Sequence, residues 1–211
     1  DATALKQAIA KQQNVDVENV FVGNGSDEVL AHIFKAFFVQ EKPILYPDIT
    51  YSFYPVYSQF FGIAEKTKIL PLNDDFEIEV NDYKQPNGGI IITNPNAPTS
   101  IALGLSAIEE VLQANPDSVV LIDEAYVDFG AESAVSLVEK YDNLVVCQTM
   151  SKSRSLAGLR VGFAIAQPHL IAALEAVKNS FNSYPIDRFA IAAAVASFED
   201  QAYFEAQNKK V

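Results

Sequence analysis

Two apolar runs of this chain are joined by the polar sequence Thr149-Met150-Ser151-Lys152-Ser153-Arg154-Ser155-Leu156-Ala157-Gly158-Leu159-Arg160. The run before it, Leu144-Val145-Val146-Cys147, is typical of a buried strand, and a second apolar run extends from Val161 to Ala166. The polar sequence therefore contains a lysine where a strand ends. Such a lysine can form an imine with an aldehyde, while Ser151 and Arg160 can hold a phosphate. This pattern suits a covalently bound, phosphorylated cofactor.

Composition limits the classes of partner. Of the 211 residues, 49% are hydrophobic, which is enough to bury a sizeable core. The formal net charge of −12 argues against nucleic acid and against an anionic membrane surface as partners. No apolar run reaches the roughly 18 residues of a membrane-spanning helix. We therefore expect small-molecule partners and no membrane association.

Cysteine and histidine usage gives two further expectations. The single cysteine, Cys147, excludes an intrachain disulfide framework, and cytoplasmic residence is the simplest inference. The two histidines, His32 and His169, lie far apart in predicted helices. Neither has a second histidine or a cysteine at ligand spacing, so we expect no metal site.

Strand patterns alternate with helix patterns from end to end, which predicts an α/β fold with a mainly parallel sheet covered by helices on both faces. Glycines and prolines lie at the ends of predicted elements, which favours one continuous domain over residues 1–211. The predicted helices include residues 2–13, 132–141 and 186–207.

A glycine-containing turn follows the short strand Val20-Phe21-Val22. In this turn, Gly23-Asn24-Gly25-Ser26-Asp27-Glu28, either Ser26 or Asp27 is predicted to cap the next helix. Free backbone N–H groups at such a helix start favour a phosphate. The same pattern also fits a simple capped turn.

A carboxylate and an aromatic ring follow two other strands. The apolar run Val119-Val120-Leu121-Ile122 predicts a central strand with Asp123 at its carboxyl end. A buried carboxylate needs a partner, which a protonated ring nitrogen would supply; alternatively, Asp123 caps the next segment. Tyr51 lies at a strand-to-helix junction, where its ring can stack on a flat heterocycle. Phe53, Tyr54 and Tyr57 are interpreted as packing residues.

Together these motifs resemble the pyridoxal phosphate lysine site of class I and II aminotransferases. Ser151-Lys152, five residues and then Gly158-Leu159-Arg160-Val161-Gly162 match that site, and Leu156-Ala157-Gly158 is similar to the histidinol-phosphate aminotransferase branch. The resemblance implies a homodimeric enzyme of histidine biosynthesis. It would transfer an amino group between histidinol phosphate and 2-oxoglutarate, with pyridoxal 5'-phosphate as cofactor.

The resemblance also implies residue roles. Lys152 would bond to the cofactor and transfer a proton, Asp123 would pair with the pyridine nitrogen, and Tyr126 would contact the phenolic oxygen. Tyr51 would stack on the ring. The phosphate would be held by Gly25, Ser26, Asp27, Thr149, Ser151 and Arg160.

One loop departs from the family pattern. The chain has Asn94-Pro95-Asn96-Ala97-Pro98-Thr99-Ser100, where the family usually has Asn-Pro-Asn-Asn-Pro-Thr-Gly. Ala97 replaces the asparagine that contacts the cofactor's phenolic oxygen. Either Asn94 or Asn96 is expected to reach that oxygen, or Tyr126 serves alone.

The resemblance covers only the large, cofactor-binding domain of the family. We expect the parent protein to have an additional N-terminal segment and a small C-terminal domain. Alternatives of the same fold are an aromatic amino-acid aminotransferase, a phospho-amino-acid decarboxylase and a non-catalytic, pyridoxal phosphate-sensing regulatory domain. A nucleotide-binding domain is disfavoured because neither Gly-x-Gly-x-x-Gly nor Gly-x4-Gly-Lys-Ser/Thr occurs.

Overall fold

A seven-stranded sheet forms the centre of the computed structural model, which describes residues 2–211. The strands are β1 (Val20–Asn24), β2 (Ile44–Pro47), β3 (Thr67–Leu70), β4 (Gly89–Thr93), β5 (Val120–Asp123), β6 (Leu144–Thr149) and β7 (Val161–Ala166). Their order across the sheet is β1-β7-β6-β5-β4-β2-β3. Strand β7 is antiparallel to both of its neighbours, and all other pairs are parallel. The predicted mainly parallel α/β sheet is confirmed.

Helices cover both faces of the sheet. They are α1 (Thr3–Gln13), α2 (Gly25–Ile33), α3 (Tyr54–Phe60), α4 (Leu105–Ala114), α5 (Pro168–Asn179), α6 (Arg188–Glu199) and α7 (Gln201–Asn208). Helices α1, α4 and α6 contribute to one hydrophobic core, and α2, α3 and α5 contribute to the other. None of the helices within residues 2–211 has the length and apolar character needed to cross a membrane.

The central strands are apolar up to their polar carboxyl ends because both of their faces are buried. In β5, Val120 and Ile122 belong to one core, whereas Leu121 between them belongs to the other. This arrangement explains why the strands appear in the sequence as continuous apolar runs and not as alternating ones.

The topology brings the ends of several strands to one edge. The parallel strands β4, β5 and β6 end at Thr93, Asp123 and Thr149, respectively, on the same side of the sheet. Because β7 runs in the opposite direction, its first residues lie at this edge too, with Gly162 opposite Thr149. Ligands of open α/β sheets bind at this edge.

Two helix predictions were wrong. Residues 132–141 form only a short 3-10 turn, Ala134–Leu137, because the buried Glu124 carboxylate accepts hydrogen bonds from the Ser133 hydroxyl and the Ala134 amide. The hydrogen bonds to Glu124 outweigh the good helix propensity of this segment.

The predicted helix over residues 186–207 is divided at Asp200, whose carboxylate accepts the Tyr203 amide and caps α7. The Arg154 guanidinium lies 4.2 Å from the Phe198 ring centroid in α6 and 4.0 Å from that of Phe204 in α7. Both helices are thereby attached to the loop that carries Lys152.

Candidate active site

A pocket of about 160 Å³ lies at the carboxyl edge of the sheet. Nine of the residues predicted for a site line it: Ser26, Asp27, Tyr51, Asp123, Tyr126, Thr149, Ser151, Lys152 and Arg160. Leu30, Thr93, Ala97 and Ala125 complete the lining. Gly25, Asn94 and Asn96 are absent from it. Wider surface clefts of about 460 and 530 Å³ contain neither Lys152 nor Asp123, so the chemistry of the lining residues, and not size, identifies the site.

Lys152 belongs to a loop that is anchored on both sides. The Met150 amide donates to the Val161 carbonyl at 3.0 Å, and the Leu156 amide donates back to the Met150 carbonyl at 2.9 Å. The Lys152 Nζ atom lies 5.1 Å from the centroid of the Tyr126 ring. Within residues 2–211 it forms no hydrogen bond or ion pair, so its amine faces the pocket without a competing acceptor.

Asp123 is only 3% exposed. Its Oδ2 accepts a hydrogen bond from the Tyr54 hydroxyl at 2.8 Å, whereas Oδ1 has no hydrogen-bond partner among the described residues. Burial raises the pKa of Asp123 to about 6, and the Tyr54 hydrogen bond offsets part of that rise. An unpartnered acid oxygen that lines a pocket can receive a donor from a ligand.

The start of α2 and the guanidinium of Arg160 lie almost in contact. Gly25 has φ +80°, and a Cβ atom there would lie 2.4 Å from Arg160 Nη2. A Cβ atom on Gly162 would lie 2.3 Å from the Ser26 amide nitrogen. Glycine at these two positions therefore lets the helix start, with its free N–H groups, approach a cation. This arrangement suits a phosphate.

The predicted cap of α2 was wrong. The helix begins at Gly25 and its N-cap residue, Asn24, makes no side-chain cap. Instead, the Asn24 amide donates to Glu28 Oε2 at 2.6 Å. The Asp27 carboxylate accepts hydrogen bonds from the Tyr51 hydroxyl at 3.2 Å and from Arg160 Nη2 at 3.0 Å. Asp27 thus orients a ring and a cation that both line the pocket.

The electrostatic effect on Tyr51 follows from this arrangement. Burial and the neighbouring Asp27 carboxylate raise the pKa of the Tyr51 hydroxyl to about 12. Tyr51 is consequently a neutral hydrogen-bond donor near neutral pH, and its ring remains available as a stacking surface.

The structure directs both predicted asparagines away from the pocket. Asn94 exchanges side-chain hydrogen bonds with the Leu103 backbone at 2.7 and 3.0 Å. Asn96 donates to the Ile49 carbonyl and the Thr99 hydroxyl. In this structure both side chains are occupied in anchoring the loop, whereas Tyr126 lines the pocket with its ring beside Lys152.

Sequence reasoning missed two residues. Tyr54 was interpreted as packing, but its hydroxyl bonds Asp123, and Tyr57 donates to the Asp27 carbonyl at 2.7 Å. Buried tyrosine hydroxyls normally find a partner.

Glu124 supports the turn that carries Tyr126. It is 1% exposed and accepts hydrogen bonds from the Ser133 hydroxyl at 2.7 Å, the Ala134 amide at 2.6 Å and Gln148 Nε2 at 2.8 Å. Burial raises its pKa to about 7, although these donors favour the ionised form.

A family model described as aminotransferase class I and II matches residues 1–211. The chain belongs to the class I and II aminotransferases. The histidinol-phosphate aminotransferase of Acinetobacter baumannii (strain SDF) is 85% identical to this chain over 211 residues. That alignment includes the whole chain but 58% of the relative, so the chain spans less than two thirds of the length of this aminotransferase. The resemblance inferred from the motifs is confirmed.

Solved structures support the same fold. The histidinol-phosphate aminotransferase of Clostridium acetobutylicum aligns with a TM-score of 0.88 and 24% identity, over 98% of this chain and 62% of the other. The enzyme from Sinorhizobium meliloti, solved in complex with pyridoxal-5'-phosphate, aligns with a TM-score of 0.80 and 23% identity, over 100% of this chain and 59% of the other. At this identity, the likeness to these aminotransferases establishes the fold alone.

Proposed function

We propose that the pocket binds pyridoxal 5'-phosphate and that the full-length protein is an aminotransferase. Three features of the pocket fit this cofactor: an amine for its aldehyde at Lys152, an unpartnered acid oxygen for its ring nitrogen at Asp123, and a phosphate cradle between the start of α2 at Ser26 and Arg160. When bound, the cofactor supplies an electron sink for the electrons of a broken C–H bond.

Residues of this chain would bind the cofactor, transfer the proton and position the reacting atoms. Lys152 Nζ would hold the cofactor through its aldehyde, with loss of water, and as a free amine it would move a proton from the substrate carbon to another position. The ionised Asp123 would pair with a protonated ring nitrogen and keep that proton in place. Arg160, Ser151, Thr149 and the start of α2 hold the phosphate, and Tyr51 supports the ring, so the reacting atoms stay in register.

The observation that carries this proposal is the convergence of Lys152 and the unpartnered Asp123 oxygen on one pocket. For the substrate, we propose L-histidinol phosphate as amino donor and 2-oxoglutarate as acceptor. The support is the 85% identity to the A. baumannii histidinol-phosphate aminotransferase over all 211 residues.

Steady-state kinetics of the full-length protein test the substrate. We expect kcat/KM for histidinol phosphate to exceed those for phenylalanine and tyrosine by at least about tenfold, or roughly 1.4 kcal/mol of transition-state discrimination. A smaller ratio would favour an aromatic amino-acid aminotransferase. Release of CO₂ from a phospho-amino acid without amino transfer would favour a decarboxylase.

We also propose that residues 1–211 act as one cofactor-binding domain and that the full-length protein is a cytoplasmic homodimer. The cytoplasmic assignment is supported by the single cysteine, Cys147, which is a buried thiol. For the dimer, the outer side of α3 and the loop before it expose an apolar stripe. This α3 stripe consists of Ile49, Phe53, Val56 and Phe60, which are 38%, 40%, 47% and 78% exposed, respectively.

A further inference from the structure

A row of hydroxyl groups, buried at Tyr54 and Thr93 and half-buried at Thr50, connects Asp123 with the loop that follows β4. The Tyr54 hydroxyl lies 2.8 Å from Asp123 Oδ2 and 2.7 Å from Thr93 Oγ1. Thr93 Oγ1 lies 3.0 Å from Thr50 Oγ1, and the Thr50 hydroxyl donates to Asn96 Oδ1 at 2.8 Å. These contacts join groups from five parts of the chain: the end of β5, helix α3, the end of β4, the loop before α3 and the loop after β4.

The orientation of the Asn96 amide fixes one end of this row. Its Nδ2 lies 2.9 Å from the Ile49 carbonyl, which can only accept a hydrogen bond. The nitrogen must therefore face Ile49, and the oxygen must face Thr50. The Thr50 hydroxyl has to donate its proton to Asn96 for this contact to form.

The number of protons in the row depends on Asp123. Four contacts connect Asp123 to Asn96, and the hydroxyls of Tyr54, Thr93 and Thr50 supply three protons. With an ionised Asp123, Tyr54 donates to the carboxylate and one of the remaining contacts lacks a proton. With Asp123 protonated at Oδ2, Asp123 donates to Tyr54, each hydroxyl donates to the next group, and all four contacts are hydrogen bonds.

We propose that Tyr54, Thr93 and Thr50 form a proton-ordered relay that couples the protonation of Asp123 to the order of the Asn96 loop, with Tyr54 as the positioning residue of Asp123. The coupling itself does not require the proposed amino transfer. Its consequence for the reaction rests on that function, because a protonated ring nitrogen would hold Asp123 in the ionised, three-proton state.

The loop at the end of the relay forms part of the pocket wall. The Asn94 amide donates to the Asp123 carbonyl at 2.8 Å, and Ala97 lines the pocket. When the relay lacks one proton, one of its contacts between Tyr54 and Asn96 is lost, so the row of hydrogen bonds that ties the loop to Asp123 is interrupted and the loop is held less firmly. A charged ligand bound at Asp123 would thus change how firmly the loop in the pocket wall beside the substrate is held.

Glu124 directly follows Asp123, and burial raises its pKa to about 7, so it titrates in the same pH range. Its carboxylate accepts from Ser133, Ala134 and Gln148 and contacts no relay residue, so relay variants leave its titration in place.

The other titratable groups near Asp123 do not change charge in this range. Those that interact with it electrostatically are Asp27 of α2, Tyr51 before α3, Tyr54 and Tyr57 of α3, and Cys147 of β6. Burial raises the pKa of each of these tyrosines and of the Cys147 thiol, so they remain neutral between pH 5 and 7.5. The Asp27 carboxylate is paired with Arg160.

Amide hydrogen exchange of the full-length protein without cofactor or substrate tests the relay. The reporters are the Asn96 and Ser100 amides, which donate to the Ile101 and Asn96 carbonyls. After correction for the chemical exchange rate, we expect about fivefold greater protection at pH 5 than at pH 7.5, since one net hydrogen bond is gained. Tyr54→Phe and Thr93→Val should each abolish this pH dependence.

Tyr46→Phe is the matched control. Tyr46 is another buried tyrosine, its ring centroid lies 5.9 Å from that of Tyr54, and its hydroxyl is outside the relay. This variant should retain the pH dependence. The proposal is overturned if the unmodified protein shows no pH dependence, or if Tyr54→Phe or Thr93→Val retains it. If Tyr54→Phe does not fold, Thr93→Val decides. Failure of the proposed amino transfer would leave these results unchanged.

Discussion

Asp123 combines burial, a hydrogen bond from the Tyr54 hydroxyl and one oxygen, Oδ1, that has no hydrogen-bond partner among the described residues. In water, a carboxylate is ionised at neutral pH with its oxygens fully solvated. Inside this protein the charge lacks most of that solvation, which is why its pKa rises to about 6. A cationic ligand at Oδ1 would compensate for the lost solvation of the carboxylate charge. The pocket is therefore favourable for a protonated ring nitrogen.

The raised pKa predicts a pH-dependent stability in the absence of cofactor. Between the ordinary aspartate value and about 6, the folded protein holds a proton that the unfolded chain has lost. Stability contributed by this group is therefore present at low pH and lost as pH rises through 6. Relative to Asp123→Asn, we expect the free energy of unfolding to fall by about 2 kcal/mol from pH 4.5 to 7.5.

Chemical denaturation of both proteins at the two pH values measures this difference, and the Asn variant removes the titration of this one group. An equal pH dependence in the two proteins would show that Asp123 is ionised throughout and that its burial carries no such cost.

Some individual site residues are recognisable from the sequence, and others depend on the fold. Lys152, Asp123 and Arg160 follow or precede strongly apolar strands, so local pattern alone brings them to one sheet edge. The hydroxyl of Tyr54 reaches Asp123 across the sheet, 69 residues away. That contact depends on how α3 packs, which local pattern does not specify.

At the scale of elements, the close approach of α2 to β7 shapes the phosphate cradle. Gly162 lies in β7, and its missing side chain leaves room for the backbone of Gly25 and Ser26. A side chain on Gly162 would meet backbone atoms, and these cannot move aside as the end of a flexible side chain can.

We predict that Gly162→Ala separates α2 from β7. The added Cβ atom would meet the Ser26 nitrogen at 2.3 Å, so we expect a loss of about 1–3 kcal/mol in unfolding free energy and weaker cofactor binding. Gly158→Ala is the control, because nothing lies within 4 Å of its added Cβ atom, and it should change stability by less than about 0.5 kcal/mol. Denaturation and cofactor titration measure both effects; equal behaviour of the two variants would contradict the prediction.

The elements themselves were predictable to different degrees. Apolar strands and the proline-initiated α5 follow from short-range pattern. The segment at 132–141 and the break at Asp200 do not, since the Glu124 carboxylate and the Arg154 guanidinium act on them from elsewhere in the chain. Tertiary contacts of this kind outweigh helix propensity.

At the scale of the whole molecule, the α3 stripe gives the proposed homodimer a surface that can be tested. We predict that the full-length protein sediments as a dimer and that Phe60→Glu, which adds a charge within the stripe, shifts it towards monomer. Val17→Glu adds the same charge at a 40% exposed valine outside the stripe and should leave the dimer intact. A monomeric unmodified protein, or equal effects of the two variants, would refute this surface.

The central claim is that Lys152 is the residue that bonds to pyridoxal 5'-phosphate. The most direct measurement is borohydride reduction of the full-length protein with its cofactor, followed by peptide mapping by mass spectrometry. We predict that the reduced cofactor is found on the peptide containing Lys152, and that Lys152→Ala acquires none. A cofactor attached to a different lysine, or retained covalently by Lys152→Ala, would contradict the claim.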